Sequence, residues 1–100
     1  MDKNEVIKKV SQYKLLLSDH FNLENVYLYG SYATGTNRED SDIDVAVVVS
    51  NISEDFFLVN PLLWKLRRQI DDRIEPILID KNYDRSGFLD EIRKTGIEIV

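Results

Sequence analysis

The segment 42–49, Asp-Ile-Asp-Val-Ala-Val-Val-Val, restricts the fold more strongly than any other part of the sequence. Its β-branched residues favour a strand, and side chains alternate between the two faces of a strand. One face is apolar from Ile43 onward, and the other begins with two carboxylates and ends with Ala46 and Val48. We therefore predict a strand with one apolar face and a second face that changes from charged to apolar along its length.

Helices and further strands are predicted on both sides of this strand. Helices are expected over 3–19, over most of 53–70 and over 86–94, and strands over 25–29, 74–79 and, as an optional short strand, 97–100. A short turn or helix joins the first two strands. This order predicts an α/β (α+β) fold in which a mixed β-sheet of three or four strands is covered by helices.

Local signals indicate where these helices begin and end. Asp2 and Glu5 have the spacing of a capping box, and Gly96 lies where a C′ glycine would follow the last helix. Asn60-Pro61 suits an N-cap followed by the first helical position. We therefore expect the long helical segment to break or kink at Asn60-Pro61.

Composition narrows the function classes. The 100 residues suit a single domain over 1–100, and 13 Lys plus Arg against 18 Asp plus Glu give a net charge of −5. An acidic chain is poorly suited to a nucleic-acid groove or an anionic membrane surface, because both favour positive charge. A metal-bound phosphate ligand stays compatible, since the metal supplies positive charge. The absence of cysteine excludes disulfides, cysteine nucleophiles and thiolate zinc sites.

No targeting or membrane-spanning segment is predicted. Residues 1–5 are too polar for a signal peptide, and the longest apolar run, 45–49, is too short to span a bilayer. Hydrophobic residues make up 43% of the chain, which is too many for a disordered protein. We expect a small cytoplasmic domain that has no membrane partner.

Four polar features are predicted to meet at one rim of the sheet. Gly30-Ser31 ends the first strand and Asp42 begins the second, so an antiparallel pair would bring them together. Asp44 shares a strand face with Asp42. Glu75 begins the third strand, and it reaches the same rim if that strand runs parallel to the second after a right-handed helical crossover.

These residue types suit the binding of a metal–triphosphate. Asp42 and Asp44 start roughly 6.6 Å apart, which lets both carboxylates turn toward one Mg²⁺ or Mn²⁺ ion. With Glu75, a pair of ions roughly 3.5–4 Å apart could be held and would stabilise an in-line phosphoryl displacement. Gly30 allows close backbone approach, and the Ser31 hydroxyl adds a donor to the backbone N–H groups. The same loop also holds the polar residues Thr34, Thr36 and Arg38.

Each of these residues also has a purely structural interpretation. Asp42 and Asp44 could be a solvated strand start that prevents edge pairing, and Ser31 could cap a helical turn. Glu75 could be a surface residue, and Arg38 could be a solvated loop charge. The combination is more specific than its parts, because Gly-Ser, ten residues and Asp-x-Asp should occur by chance in about one chain in a thousand of this length.

Gly30-Ser31, ten intervening residues and then Asp42-Ile43-Asp44 resemble the signature of the polymerase-β-like nucleotidyltransferase superfamily. The short chain is similar to the minimal nucleotidyltransferase branch. The segment 73–76, Arg-Ile-Glu-Pro, is similar to the strand that carries a third carboxylate in some members of that branch.

This resemblance implies a palm-like fold and a reaction. A nucleoside monophosphate, in the first instance AMP from ATP, would move from an NTP to a hydroxyl with release of pyrophosphate. The catalytic and Mg²⁺-binding residues implied by the resemblance are Asp42, Asp44 and Glu75. The implied nucleotide-binding residues are Gly30, Ser31, Thr34 and Arg38. Thr34 stands where many relatives have Arg, and Asp is common in the superfamily at the position of Glu75.

The resemblance also implies a partner. Many minimal members pair with a small helical HEPN-type protein in toxin–antitoxin modules, and some transfer AMP to a tyrosine of that partner. A rival hypothesis is a non-catalytic, antitoxin-like module that neutralises its partner by binding. An exposed apolar stripe formed by Phe56, Phe57, Leu58 and Trp64 would favour this rival. The acidic charge disfavours a nucleic-acid terminal transferase.

Overall fold

The computed structural model describes residues 1–50, 56–83 and 86–100, with only the backbone described for 56 and 57. The elements in chain order are α1 (Lys3–Ser18), β1 (Asn25–Tyr29), α2 (Ser31–Thr34), β2 (Ile43–Val49), α3 (Phe56–Leu66), a 3-10 turn (Arg67–Gln69), β3 (Ile74–Asp80), α4 (Phe88–Thr95) and β4 (Ile97–Glu98). Among the helices so described, none has the length and apolar character needed to cross a membrane.

The four strands form one mixed sheet in the order β3-β2-β1-β4. β2 pairs antiparallel with β1 and parallel with β3, and β4 pairs antiparallel with β1. The parallel pair is joined through α3, because parallel neighbours need a crossover connection. These pairings confirm the predicted mixed sheet covered by helices.

β2 lies inside the sheet, and every residue of this strand except Asp44 is buried. On one face, α1 and α3 cover the strand with fully buried side chains, namely Val6, Val10, Tyr13, Leu17 and Leu63. On the other face, α4 contributes Leu89 and Ile92, which pack with Ala46 and Val48. Each buried aliphatic side chain stabilises the fold by about 1.5–3 kcal/mol. Packing on both faces therefore holds β2 in place, and with it the acidic residues at its start.

Several polar contacts hold α1, among them its N-cap and a buried tyrosine hydrogen bond. The Asp2 carboxylate accepts a 2.8 Å hydrogen bond from the Glu5 N–H, which confirms Asp2 as the N-cap. The Tyr13 hydroxyl, buried in the core, donates to the Leu63 carbonyl at 2.8 Å. This second contact joins α1 to α3 on the face of the sheet that they both cover.

The predicted break at Asn60-Pro61 is wrong. α3 runs without interruption from Phe56 to Leu66, so Asn60 is not an N-cap and Pro61 lies inside the helix. Proline removes one backbone hydrogen bond, but Leu63 and Leu66 beyond it are buried in the core. Their burial outweighs the lost bond and keeps the helix continuous. Positions 53–55 of the predicted helix lie outside the described residues.

The C-terminal elements differ slightly from the expected bounds. α4 begins at Phe88 rather than at 86, because Gly87 has a φ of 71°, which is not helical. β4 comprises only Ile97 and Glu98, although the Ile99 N–H still donates to the Val26 carbonyl at 2.8 Å. Gly96 does cap α4, but its φ of −87° is not the left-handed conformation of a C′ glycine.

Gly96 is required by close packing instead. A Cβ at this position would lie 2.6 Å from the Ile92 carbonyl oxygen and 2.9 Å from the Leu28 carbonyl oxygen. Both atoms belong to backbone that is held in a helix or strand. We expect Gly96→Ala to lower the free energy of unfolding by about 1–3 kcal/mol in denaturant titrations. Lys94→Ala, at an exposed position of the same helix, is the control, and an equal effect of both changes would contradict the packing argument.

Candidate active site

Gly30 forms the turn between β1 and α2 and touches the acidic cluster directly. Its φ of 72° and ψ of −150° lie in a region that other residues rarely adopt. A Cβ on Gly30 would lie 2.2 Å from Asp44 Oδ2. The glycine therefore permits both the backbone conformation and the close approach of the Asp44 carboxylate to the turn.

The loop after Gly30 contains the other predicted nucleotide-binding residues. Ser31 begins α2 and is half-buried. The exposed Thr34 uses its hydroxyl within the turn, where it donates to the Gly30 carbonyl at 3.2 Å. The exposed Arg38 donates its backbone N–H to Ser41 Oγ at 2.7 Å. Gly30 thus borders the Asp44 carboxylate and Ser31 follows it in the chain, whereas no described contact links Thr34 or Arg38 to the carboxylates.

The strand register brings the three predicted carboxylates together. Asp44 pairs with Tyr29 on β1 and with Glu75 on β3, so it lies between them on one face of the sheet. Neighbouring strands are about 4.8 Å apart, which places these side chains in reach of one another. Asp42 directly precedes β2, and its side chain is close enough to that of Glu75 to influence the protonation of the Glu75 carboxyl.

The cluster is electrostatically unfavourable by itself. Burial raises the pKa of Asp44, and the charge of Asp42 raises it further. The pKa of Glu75 is raised by burial, by the charge and hydrogen bond of Asp42 and by the charge of Asp44, against an opposing effect of Arg67. The ionised carboxylates therefore repel one another at neutral pH, and a bound cation would relieve this repulsion.

Tyr29 responds to the same negative potential. Burial raises the pKa of its hydroxyl to about 12, and the charges of Asp44 and Glu75 contribute to the shift. Its ring makes an edge-to-face contact with Phe88, with 5.7 Å between the ring centroids. Tyr29 and Phe88 thus form an aromatic border on the β1 side of the carboxylates.

The donor chemistry of the cluster fits a hard divalent cation. Mg²⁺ prefers carboxylate oxygens and usually takes one or two carboxylates together with phosphate oxygens. Among the described residues, no three acidic, histidine or cysteine side chains are already arranged around one ion position. Asp42, Asp44 and Glu75 would therefore have to turn toward a cation when it binds.

Two arginines hold the turn that leads into β3. Arg67 Nη1 donates to the carbonyls of Asp72 and Ile74, the latter at 3.0 Å. Arg73 Nη1 donates to the Glu39 carbonyl at 2.9 Å, which connects this turn to the loop before β2. The position of Glu75 is thus supported from the α3 side and from the β2 side.

Asp71 ties the same turn to α1. Its carboxylate accepts hydrogen bonds from Lys9 Nζ at 2.7 Å and from the Arg73 N–H at 2.8 Å. Burial acts to raise the pKa of Asp71, but these hydrogen bonds and the charges of Lys9 and Arg73 outweigh it and lower the pKa overall. The ionised form of Asp71 therefore stabilises the fold.

We expect Lys9→Met to lower the free energy of unfolding by about 1 kcal/mol at neutral pH, a small value because Lys9 is partly exposed. A lowered pKa in the folded state gives stability that is present above the unfolded value and is lost as pH falls. The difference from wild type should therefore shrink in acid, below about pH 4. Denaturant titrations across pH measure it, with the exposed neighbour substitution Lys8→Met as the control. A deficit that persists unchanged in acid would contradict the ion pair as its cause.

Arg67, Asp71 and Tyr29 were not predicted as site residues. The sequence favoured a charged helix end for Arg67, with partner or phosphate binding as the weaker alternative, and a strand position for Tyr29. Their roles depend on pairings between segments far apart in the chain, such as Lys9 with Asp71. For Tyr29 the sequence did contain a signal. Tyr29 is the last residue before Gly30, and in the sheet it pairs with Asp44.

Comparison with known proteins agrees with this geometry. The family model described as "Polymerase beta, Nucleotidyltransferase" matches residues 11–100. MJ0141 of Methanocaldococcus jannaschii, named provisionally as a protein adenylyltransferase, is 29% identical over 95% of this chain and 99% of its own length. The protein adenylyltransferase MntA of Shewanella oneidensis is 32% identical over 75% of this chain, which spans 46% of the length of MntA.

Two solved structures share the fold. A crystal structure of a provisionally assigned nucleotidyltransferase from Sulfolobus solfataricus has a TM-score of 0.68 and 27% identity, covering 96% of this chain and 80% of the other. A toxin–antitoxin crystal structure with AMP-PNP has a TM-score of 0.64 and 26% identity, and the match covers 100% of this chain and 73% of the other.

The family match covers nearly the whole chain and includes all three carboxylates and the Gly30 turn. The chain spans nearly all of MJ0141 and most of the two solved structures. Sequence, fold and strand register therefore lead to one conclusion. The chain belongs to the polymerase β nucleotidyltransferase family and is similar to protein adenylyltransferases within it.

Proposed function

We propose that this protein transfers AMP from ATP to a hydroxyl group of a partner polypeptide, with Mg²⁺ as the metal. The observation that carries the proposal is the position of Asp44, which lies between Glu75 and the Gly30 turn. The Gly30 turn, which is proposed to bind the triphosphate, is therefore adjacent to the carboxylates that are proposed to bind the metal and to act on the acceptor. MntA, which is named a protein adenylyltransferase, supports the choice of AMP and of a protein acceptor.

In this proposal the residues have distinct roles. Gly30 and Ser31 bind the terminal phosphates of ATP through backbone N–H groups and the Ser31 hydroxyl. Asp42 and Asp44 hold Mg²⁺, which when bound supplies positive charge beside the phosphates. Thr34 and Arg38 are proposed to assist in nucleotide binding from the same loop.

Glu75 is proposed to hold or align the metal together with the aspartates and also to act on the acceptor side. The acceptor oxygen attacks the α-phosphorus, the bond from that phosphorus to the bridging oxygen of pyrophosphate breaks, and pyrophosphate leaves. The proton of the acceptor hydroxyl passes to Glu75. The pairing of Glu75 with Asp44 supports this role, because it places a carboxylate that can accept a proton beside the proposed metal site.

The partner is proposed to be a small helical HEPN-type protein, with this chain as its antitoxin in the cytoplasm. The toxin–antitoxin structure with AMP-PNP supports such a pairing, since it shares the fold over this whole chain. The acceptor hydroxyl would then come from the partner, and a tyrosine is the proposed residue.

A second candidate function is neutralisation of the partner by binding alone. It is favoured by exposed apolar side chains on α3, where Leu58 is 73% exposed and Trp64 is 38% exposed. The other two residues of the predicted stripe, Phe56 and Phe57, have side chains outside the described part of the chain. The two functions differ in whether a variant without transfer activity still protects against the partner.

The test uses ATP labelled at the α-phosphate, Mg²⁺ and a lysate of the source cell, with wild-type protein and Asp42→Asn. We expect label on a discrete polypeptide with wild type only, and mass spectrometry then identifies the acceptor. ATP labelled at the γ-phosphate is the control and should leave no label on that polypeptide, because pyrophosphate carries it away. Equal labelling by both variants would contradict the proposed role of Asp42. Labelling only from the γ-phosphate would contradict AMP transfer.

A further inference from the structure

We propose that a cleft on α3 binds an acidic segment of the acceptor polypeptide, an inference that rests on the proposed function. The cleft has a volume of about 570 Å³ and is lined by Pro61, Trp64, Lys65, Arg67 and Arg68. We call it the α3 cleft. Neither the Gly30 turn nor any of the three carboxylates lines it.

The charge of the α3 cleft is opposite to that of the whole chain. The protein has a net charge of −5, yet three of the five lining residues are cationic. Lys65 and Arg68 are exposed, and among the described residues neither has a carboxylate within 4.0 Å. Both charges are therefore available to a negatively charged ligand.

Arg67 and Trp64 form the rigid part of the cleft. The Arg67 guanidinium lies over the Trp64 ring, 4.7 Å from its centroid, which is a cation–π contact. Arg67 is also fixed by its bond to the Ile74 carbonyl. A preformed indole and guanidinium lose little conformational entropy when a ligand binds. With Trp64 partly exposed, the cleft offers an aromatic surface beside positive charge.

The cleft adjoins the acceptor side of the active site. Arg67 donates to the carbonyl of Ile74, and the next residue in the chain is Glu75. In the proposed reaction Glu75 receives the acceptor proton. A polypeptide that leaves the α3 cleft beside Arg67 would therefore come near Glu75, where its hydroxyl is needed.

The geometry favours a short acidic polypeptide segment over a nucleic acid. The cations of the cleft occupy only the end of α3 and the following turn, and the whole chain has a net charge of −5. An extended polyanion would reach beyond this small patch to a protein that is acidic overall. A few carboxylates next to an aromatic side chain match the size and the chemistry of the cleft.

Trp64 is the only tryptophan, so its fluorescence reports directly on the cleft. The full chain, without nucleotide, is titrated at low ionic strength with a short blocked peptide in which glutamates flank a tyrosine. The comparison ligands are the same peptide with lysines in place of glutamates and a short oligouridylate. The test variant is Lys65→Glu with Arg68→Glu. The matched control is Lys8→Glu with Lys94→Glu, an equal change of charge at exposed positions elsewhere.

We expect the glutamate peptide to change the Trp64 emission and the lysine peptide to leave it unchanged. The Lys65→Glu, Arg68→Glu variant should bind at least about tenfold more weakly, and the control variant should lose less than about threefold. Added salt should weaken binding, because these charges are exposed.

Four results would overturn the inference. The first three are equal binding of both peptides, equal weakening by both double variants, and tighter binding of the oligouridylate. The fourth is no change in emission with the glutamate peptide. Absence of any change with the glutamate peptide would indicate that Lys65 and Arg68 are only a solvated helix end. Binding is read here without ATP, whereas the proposed AMP transfer is read with labelled ATP, so failure of one proposal is distinguishable from failure of the other.

Discussion

Replacing Asp44 with asparagine is expected to lower AMP transfer by about a hundred- to a thousandfold while the protein stays folded. Asparagine keeps the size of the side chain but removes the charge that is proposed to hold Mg²⁺. The close contact with the Gly30 turn is preserved in shape, so the loss should be chemical rather than structural. Transfer from α-labelled ATP and the thermal midpoint, measured on the same preparation, separate the two effects.

The same substitution should leave the stability unchanged or increase it. Burial and the charge of Asp42 raise the pKa of Asp44 in the folded state. A carboxyl with a raised folded pKa destabilises the fold when it is ionised, and this destabilisation disappears as pH falls through that pKa. The advantage of Asp44→Asn should therefore be largest at neutral pH and should vanish in acid.

Magnesium provides an independent measurement of this site. Mg²⁺ should raise the thermal midpoint of the wild type, because it binds the folded state and offsets the repulsion among the carboxylates. It should raise the midpoint of Asp44→Asn much less. Asp40→Asn, at an exposed position in the loop before β2, is the control and should behave as wild type. A full Mg²⁺ response in Asp44→Asn would exclude Asp44 as a metal ligand.

Gly30→Ala is expected to be the most damaging single substitution for stability in the site. The new methyl group would need to occupy space 2.2 Å from Asp44 Oδ2, and alanine disfavours a φ of 72°. We expect a loss of about 2–4 kcal/mol from strain and overpacking together, and loss of transfer because Asp44 is displaced. Denaturant titration and the α-labelled ATP assay measure the two losses.

Gly35→Ala is the matched control for this substitution. Gly35 has a φ of 80°, but no atom lies within 4 Å of the position that a Cβ would take. It therefore carries the backbone cost without the clash, and should lose only about 1 kcal/mol and retain transfer. Equal losses in the two variants would show that the contact between Gly30 and Asp44 is unimportant.

Much of the fold followed from local patterns in the sequence. The alternation in 42–49 predicted β2. A common rim for Gly30, Asp42 and Glu75 required antiparallel and then parallel pairing within the predicted mixed sheet, and the structure has both. These inferences succeed because strand periodicity and crossover handedness depend on short segments and general geometry. The carboxylates of the candidate site were predicted for the same reason, since they lie at strand starts.

Features that depend on tertiary contacts could not be predicted. The sequence predicted that a helix starts at Pro61, but burial of Leu63 and Leu66 keeps α3 continuous through this position. The sequence predicted Gly96 as a left-handed C′ glycine, but the reason for glycine is close packing. Two backbone oxygens from separate elements leave no room for a Cβ. The sequence favoured Arg67 as part of a charged helix end, but its side chain donates a hydrogen bond to the Ile74 carbonyl. In each case the deciding partner is a residue whose proximity depends on the completed fold.

The pairing of β2 with β3 makes assembly of the site inseparable from correct folding. Ile43 pairs with Ile74 toward the core, and Asp44 pairs with Glu75 on the opposite face. A slip of β3 by one residue would turn Ile74 out to water and Glu75 into the core. Burial of Ile43 and Ile74 therefore favours the correct strand register. A chain with the wrong register would lose this hydrophobic stabilisation and would also lose Glu75 from the site. A stably folded population should accordingly have Glu75 beside Asp44 in every molecule.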